Sequence, residues 1–214
     1  MWNPNHRPLS SVSVLLSVVA VWLVPVLLTA AEDGDHKPLY PPAWDPVLTL
    51  HDATHMPQMG TGVYRADAGE EAYTTVQWAL EVGYRLIDTA AVYGNEADVG
   101  RALADSGIPR EQYYVTTKIA TDGHGYQEAL EACDQALLRL GTDYIDLLLI
   151  HSPFGGKIVE TWDALVQLQK DGKVKSIGVI LVSNTCKSLR IMVVPCPSSI
   201  NWKSIPSTSK TFGT

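Results

Sequence analysis

Between residues 47 and 179 the apolar positions keep switching between a helical and an extended rhythm, and the switches mark out elements. Ala72, Val76, Ala79 and Leu80 recur at helical spacing, so residues 69–82 predict an amphipathic helix. Residues 96–105, 126–140 and 158–170 predict three more, the last two stopped by Gly141 and Gly172. Short apolar runs at 85–88, 113–118, 144–150 and 174–179 lie between and after them and predict strands. Strands that are apolar throughout, separated by amphipathic helices, predict an α/β fold with a parallel sheet covered on its outer face. Two further strand-like runs, 47–51 and 56–62, flank a turn ahead of the first helix. Residues 32–46 are polar and Pro-rich and predict an extended linker. After residue 179 the rhythm dissolves into Ser, Lys, Pro and Thr with an isolated apolar patch at 191–194, an atypical tail expected to be disordered.

The polar residues that end these strands change the picture. Asp88 ends one strand and Tyr93 follows five residues later; Lys118 ends the next, and His151 the one after. In a parallel sheet all four arrive at one rim, the place where a barrel of strand–helix units carries its chemistry. Each has a plainer reading when taken alone. Asp88 caps a segment, Tyr93 is a surface aromatic, Lys118 is a solvated strand end, and His151 caps the turn at Ser152-Pro153.

Residues 83–100, GYRLIDTAAVYGNEADVG, decide between these readings by resemblance. They match the first signature of the aldo-keto reductase family, and the likeness extends over residues 47–179. The resemblance implies a (β/α)8 TIM barrel, of which this chain holds five of the eight strand–helix starts, with a β-hairpin plugging the barrel bottom. It implies that Tyr93 donates a proton, Lys118 lowers its pKa, Asp88 pairs with Lys118, and His151 orients the substrate carbonyl. It implies hydride transfer from a nicotinamide cofactor, NADPH (NADP), to a small aldehyde or ketone. Gly62 and Val63 would approach the nicotinamide, and Tyr64 would line the substrate pocket. The chemistry is coherent without a metal: an ammonium beside a phenol stabilises the phenolate, and an imidazole polarises the carbonyl oxygen. His51, His55 and His124 lack metal-ligand spacing and receive no site.

Two departures stand out. Many relatives carry a tryptophan two residues after the lysine, where this chain has Ala120. The family's second signature continues the fifth strand as Gly-Val-Ser-Asn; here Gly178-Val179 runs into Ile180-Leu181, and Ser183-Asn184 follows three residues late. Ser183 and Asn184 are therefore candidate cofactor contacts, with coincidence or a short insertion as the competing reading. A strand–helix–strand unit needs about 30 residues, so residues 180–214 cannot hold three more. The expectation is a reductase truncated after the fifth strand. An inactive isoform or fragment, and a non-catalytic interaction subunit of the kind the family fold provides to potassium channels, stand beside the active enzyme.

Charge and the N-terminus set the remaining bounds. The formal net charge is −7, and all 23 acidic residues precede residue 172. An acidic body argues against nucleic acid as a partner. Residues 8–31 carry no charge and are mostly Val, Leu, Ser and Ala, with small residues at 29–31. Residues 1–31 thus predict a secretory signal peptide, or, if uncleaved, a signal anchor that would tie the chain to a membrane. Three cysteines imply no disulfide framework.

Overall fold

The strand–helix rhythm folds into one continuous sheet with helices against its outer face. The computed structural model describes residues 42–44, 46–182 and 189–193. The expected signal segment 1–31, most of the linker, Ser183-Asn184 and most of residues 180–214 lie outside the described residues. No helix among the described residues is long and apolar enough to cross a membrane.

β1 (Val47–Thr49) and β2 (His55–Pro57) form an antiparallel hairpin with Val47 opposite Pro57. The main sheet runs β3 (Gly60–Gly62), β4 (Leu86–Asp88), β5 (Tyr114–Ile119), β6 (Ile145–Ile150), β7 (Val174–Val182) and β8 (Leu189–Val193), in that spatial order. The first five strands are parallel, one sector of a barrel. The connecting helices are α1 (Glu70–Glu81), α2 (Glu96–Asp105), α3 (Tyr126–Leu140) and α4 (Ile158–Lys170). The last three match the sequence expectation to the residue. At the end of α3 the chain turns through Gly141 at φ 64°, a left-handed conformation that costs glycine little. One expectation was short: the fifth parallel strand runs to Val182 rather than 179, and β8 returns antiparallel, pairing Gly178 with Val193.

The helices lay Val76, Leu80, Val99, Leu103, Cys133, Leu140, Trp162 and Leu165 on the outer face of the sheet, where they meet Ile87, Val115, Leu148 and Ile150. Trp162 is core, as its helical position predicts. The alternation of a strand sends Tyr114, Leu147, Leu149 and Ile180 to the opposite, inner face. The hairpin closes the N-terminal end of that interior, as expected. Trp44 packs edge-on against Tyr114 at 5.6 Å and donates to the Gln112 carbonyl, and the Thr54 hydroxyl in the hairpin turn meets Ser176 of β7 at 2.7 Å.

The same end carries a second anchor. Asp146 is buried at the start of β6; it accepts from Arg110 at 2.7 Å, from the Val115 N–H at 2.9 Å and from Lys175 at 3.1 Å. The Arg110 guanidinium lies over the Tyr144 ring at 3.8 Å, and Lys175 lies over the same ring at 3.9 Å. These contacts hold β5, β6 and β7 in register at the end of the strands away from Lys118 and His151.

Candidate active site

The parallel register delivers Asp88, Lys118 and His151, with Tyr93 on the turn after β4, to one rim. Lys118 alternates inward with Tyr114 and Thr116, while Thr117 points outward to α2. Its ammonium is almost wholly buried and uses its three donors on three partners. It donates to Asp88 Oδ1 at 2.6 Å and the Thr89 carbonyl at 2.8 Å, and it reaches the Tyr93 hydroxyl at 3.4 Å. Tyr93 stands on a short helical turn, Ala91–Tyr93, after β4. The His151 ring meets the Tyr93 ring edge-on at 5.9 Å, and the exposed Tyr64 ring tilts onto its other side at 5.1 Å. Asp88, Tyr93, Lys118 and His151 therefore form one cluster, with Tyr64 at its mouth.

The electrostatics refine one expectation and correct another. Burial, reinforced by the Lys118 charge, holds the His151 imidazole below its ordinary pKa, so near neutral pH the ring is uncharged and keeps one N–H to donate. Burial also draws the Lys118 ammonium below the usual lysine value, with Asp88 pulling the other way. The expectation that Lys118 lowers the Tyr93 pKa is not met in this arrangement. Burial, then the Asp88 carboxylate, then Tyr64 raise it. The reason is geometric. Lys118 gives its shortest bond to Asp88, so Tyr93 faces an ion pair rather than a free cation, and its pKa lies above the ordinary tyrosine value.

The nucleotide-side expectations divide. Gly62 ends β3 with its backbone exposed beside Asp88, and Asp88 Oδ2 has no partner among the described residues. Val63 does not fit the contact expected of it. Its side chain is fully buried in the outer core, its N–H donates to the Asp88 carbonyl, and its own carbonyl accepts from Asn95. Ser183 and Asn184 lie outside the described residues. Among the described residues no group of His, Cys, Asp or Glu is placed to hold a metal ion. A cleft of about 330 Å3 lined by Trp44, Met59, Val82 and Arg85 opens elsewhere, away from the four rim residues.

Sequence reasoning missed three buried residues beside the cluster. Thr89 supplies the carbonyl that holds Lys118. Asn95 and Glu96 open α2, where an Asn-Glu pair reads as an ordinary helix start. Asn95 makes no capping hydrogen bond; its amide is used sideways. Glu96 accepts from the Thr117 hydroxyl at 2.5 Å and from Arg139 at 2.6 Å, tying α2 to β5 and α3. The available signal was position, directly after the candidate tyrosine, and nothing in the hydrophobic pattern separates burial from capping there.

The family model for the aldo/keto reductase family matches residues 58–192, more than half of the chain and all four rim residues. The chain belongs to the aldo/keto reductase family. It is 48% identical over 132 residues to a 9,11-endoperoxide prostaglandin H2 reductase of Trypanosoma cruzi, covering 62% of this chain and 47% of that protein. It is 52% identical over 136 residues to an aldo-keto reductase of Mycolicibacterium smegmatis, covering 63% of this chain and 48% of the relative. Among solved structures, an aldo/keto reductase from Brucella melitensis superposes with a TM-score of 0.61 at 47% identity, over 63% of this chain and 52% of that one. A Bombyx mori aldo-keto reductase in complex with NADP superposes with a TM-score of 0.59 at 38% identity, over 63% and 50%. This aldo/keto reductase chain thus spans about half the length of the curated relatives it matches.

Proposed function

We propose that the rim reduces a small aldehyde or ketone to an alcohol with NADPH as the hydride donor. The observation that carries this reading is the hydrogen-bonded chain Asp88–Lys118–Tyr93 with the neutral His151 ring beside it. The residues present suit the reactive end of a nicotinamide cofactor: the free Asp88 Oδ2 would accept from a hydroxyl or carboxamide, the exposed Gly62 backbone would permit close approach, and the exposed Tyr64 ring would offer a flat wall. When bound, the cofactor supplies the hydride, and the protein must supply everything else.

Tyr93 enters protonated and stays so across the physiological range, because burial raises its pKa. A carbonyl oxygen within reach of its hydroxyl and of the His151 N–H receives two hydrogen bonds, which strengthen as negative charge develops on that oxygen. When the Tyr93 proton moves to that oxygen, Lys118 is already 3.4 Å from the phenolate that remains. Asp88 and the Thr89 carbonyl keep the ammonium in place, so little reorganisation accompanies the charge.

The test is loss of NADPH absorbance with a simple aldehyde, using the purified chain. Turnover that falls by about 100-fold or more in Tyr93→Phe, the scale of a lost general acid, supports the reading. Tyr93→Phe turning over like the parent chain would overturn it. The antiparallel β8, set where a closing barrel needs another parallel strand, favours a second reading in which the rim is intact but does not turn over. NADPH binding by fluorescence without oxidation would select it. As for location, we propose that residues 1–31 route the chain into the secretory pathway. A secreted chain beginning near Ala31 supports cleavage, whereas an intact N-terminus pelleting with membranes supports the anchor.

A further inference from the structure

We infer that the side-chain amide of Asn95 is the positioning residue of this site, joining the Tyr64 loop, the segment that holds Lys118 and the Tyr93 turn into one hydrogen-bonded unit. The inference rests on the proposed role of Tyr93. Asn95 is fully buried, and its amide is satisfied at both ends. The NH2 group donates to the Val63 carbonyl at 3.0 Å and the Ala66 carbonyl at 3.1 Å, so it grips both sides of Tyr64 and Arg65. The amide oxygen accepts from the Thr89 hydroxyl at 2.9 Å. Two carbonyl acceptors on one side and a hydroxyl donor on the other leave the amide a single workable orientation.

The bonds to Thr89 and Val63 each lead to a rim residue by one further step. Thr89 binds Lys118 through its carbonyl and β5 through its N–H, which donates to Thr116 at 2.9 Å. Val63 donates to the Asp88 carbonyl, and the loop it starts presents Tyr64 to the Tyr93 ring. Tyr93 lies two residues before Asn95, across Gly94, which turns the chain at φ 71°. On the other side, Glu96 fixes the start of α2 to β5 and α3. Asn95 is thus the point at which the phenol turn, the ammonium's carbonyl and the aromatic wall share one side chain. At a helix start where Asn ordinarily caps, this one gives up the cap to make that junction.

Two substitutions cut the junction at different bonds. Asn95→Leu removes the donors to Val63 and Ala66 together with the acceptor for Thr89 and adds no charge; Thr89→Val removes only the hydroxyl. Asp146→Asn, at the far end of the sheet, serves as the control for loss of stability alone. The readout is the titration of Tyr93 followed by tyrosine ring carbon NMR on the full chain, with Tyr93→Phe assigning the signal. Loosening the turn admits water to the phenol, so both junction variants should bring its titration down toward the free value near 10. Asp146→Asn should leave it in place. A Tyr93 titration unmoved in Thr89→Val and Asn95→Leu, or moved equally by Asp146→Asn, would overturn the inference. Where the parent chain reduces an aldehyde, the junction variants should lower kcat more than they raise KM, and a loss carried by KM alone would count against it. A parent chain that reduces nothing defeats the functional reading instead, and the titration still decides the role of Asn95.

Discussion

Gly100→Ala is the sharpest test of how the Tyr93 side of the site is supported. Gly100 lies inside α2, where alanine would ordinarily gain about 1 kcal/mol of helix stability over glycine. The structure reverses that sign. A Cβ at Gly100 would lie 2.5 Å from the Leu140 carbonyl oxygen, 2.6 Å from its carbonyl carbon and 2.8 Å from the Arg139 carbonyl oxygen. All three are backbone atoms at the end of α3, so no side chain can swing away. Ordinary contact begins near 3.4 Å, so α2 and α3 must part by close to an ångström. A gap of that size forfeits roughly a quarter to a half of the attraction across it. Overpacking of this kind costs about 1–3 kcal/mol, and the backbone obstacle places Gly100 toward the upper end. After subtracting the propensity gain, the expected net loss is about 2 kcal/mol, or roughly 4–8 °C in Tm for a domain of this size. Urea and thermal melts followed by circular dichroism measure it. A Gly100→Ala chain as stable as its parent, or more stable, would refute the argument that close backbone approach outweighs propensity here.

Other consequences are as concrete. Asp146→Ala removes one carboxylate from two cations and the Val115 N–H. It should cost about 3 kcal/mol in urea melts, the low end for a broken buried pair because Arg110 and Lys175 reach water. His124 and His151 both have pKa values held down by burial, so the unfolded chain binds protons that the folded chain refuses. Their contribution to stability should be complete above about pH 6.5 and fall as pH drops toward their folded values, read from melts across that range; His124→Gln should flatten the slope. The Cys133 thiol is buried and its pKa is pushed up to about 12, so in a Cys186→Ser, Cys196→Ser background it should react with a thiol reagent only at the rate of local opening. Labelling as fast as free cysteine would contradict its burial.

The fold was legible wherever one physical signal dominated. Helical periodicity placed α2, α3 and α4 to the residue, because their buried faces are regular and glycines or loops stop them. The end of β7 was misjudged because the tail's composition was weighed instead of strand continuity: Ile180 remains buried against Tyr114 and Leu149. The four rim residues were legible because Asp88, Lys118 and His151 lie at the ends of parallel strands and Tyr93 lies on the turn just after one of them. The junction behind them was not, since burying Asn95 and Glu96 depends on tertiary neighbours 21 to 43 residues away in sequence. The Tyr93 pKa was misjudged for a related reason: the motif places an ammonium near the phenol, and only the coordinates show how fully Asp88 claims it.

Asp146 and His151 belong to the same run of chain, one near the start of β6 and the other just past its end. Five residues of extended backbone set them about 16 Å apart. Perturbations separated by more than about 10 Å with no shared partners add in free energy. A change that strengthens the Asp146 end and a change that reshapes the mouth around His151 and Tyr64 should therefore combine without interference. Such a scaffold can be made more robust before its mouth is altered, and each gain can be measured separately.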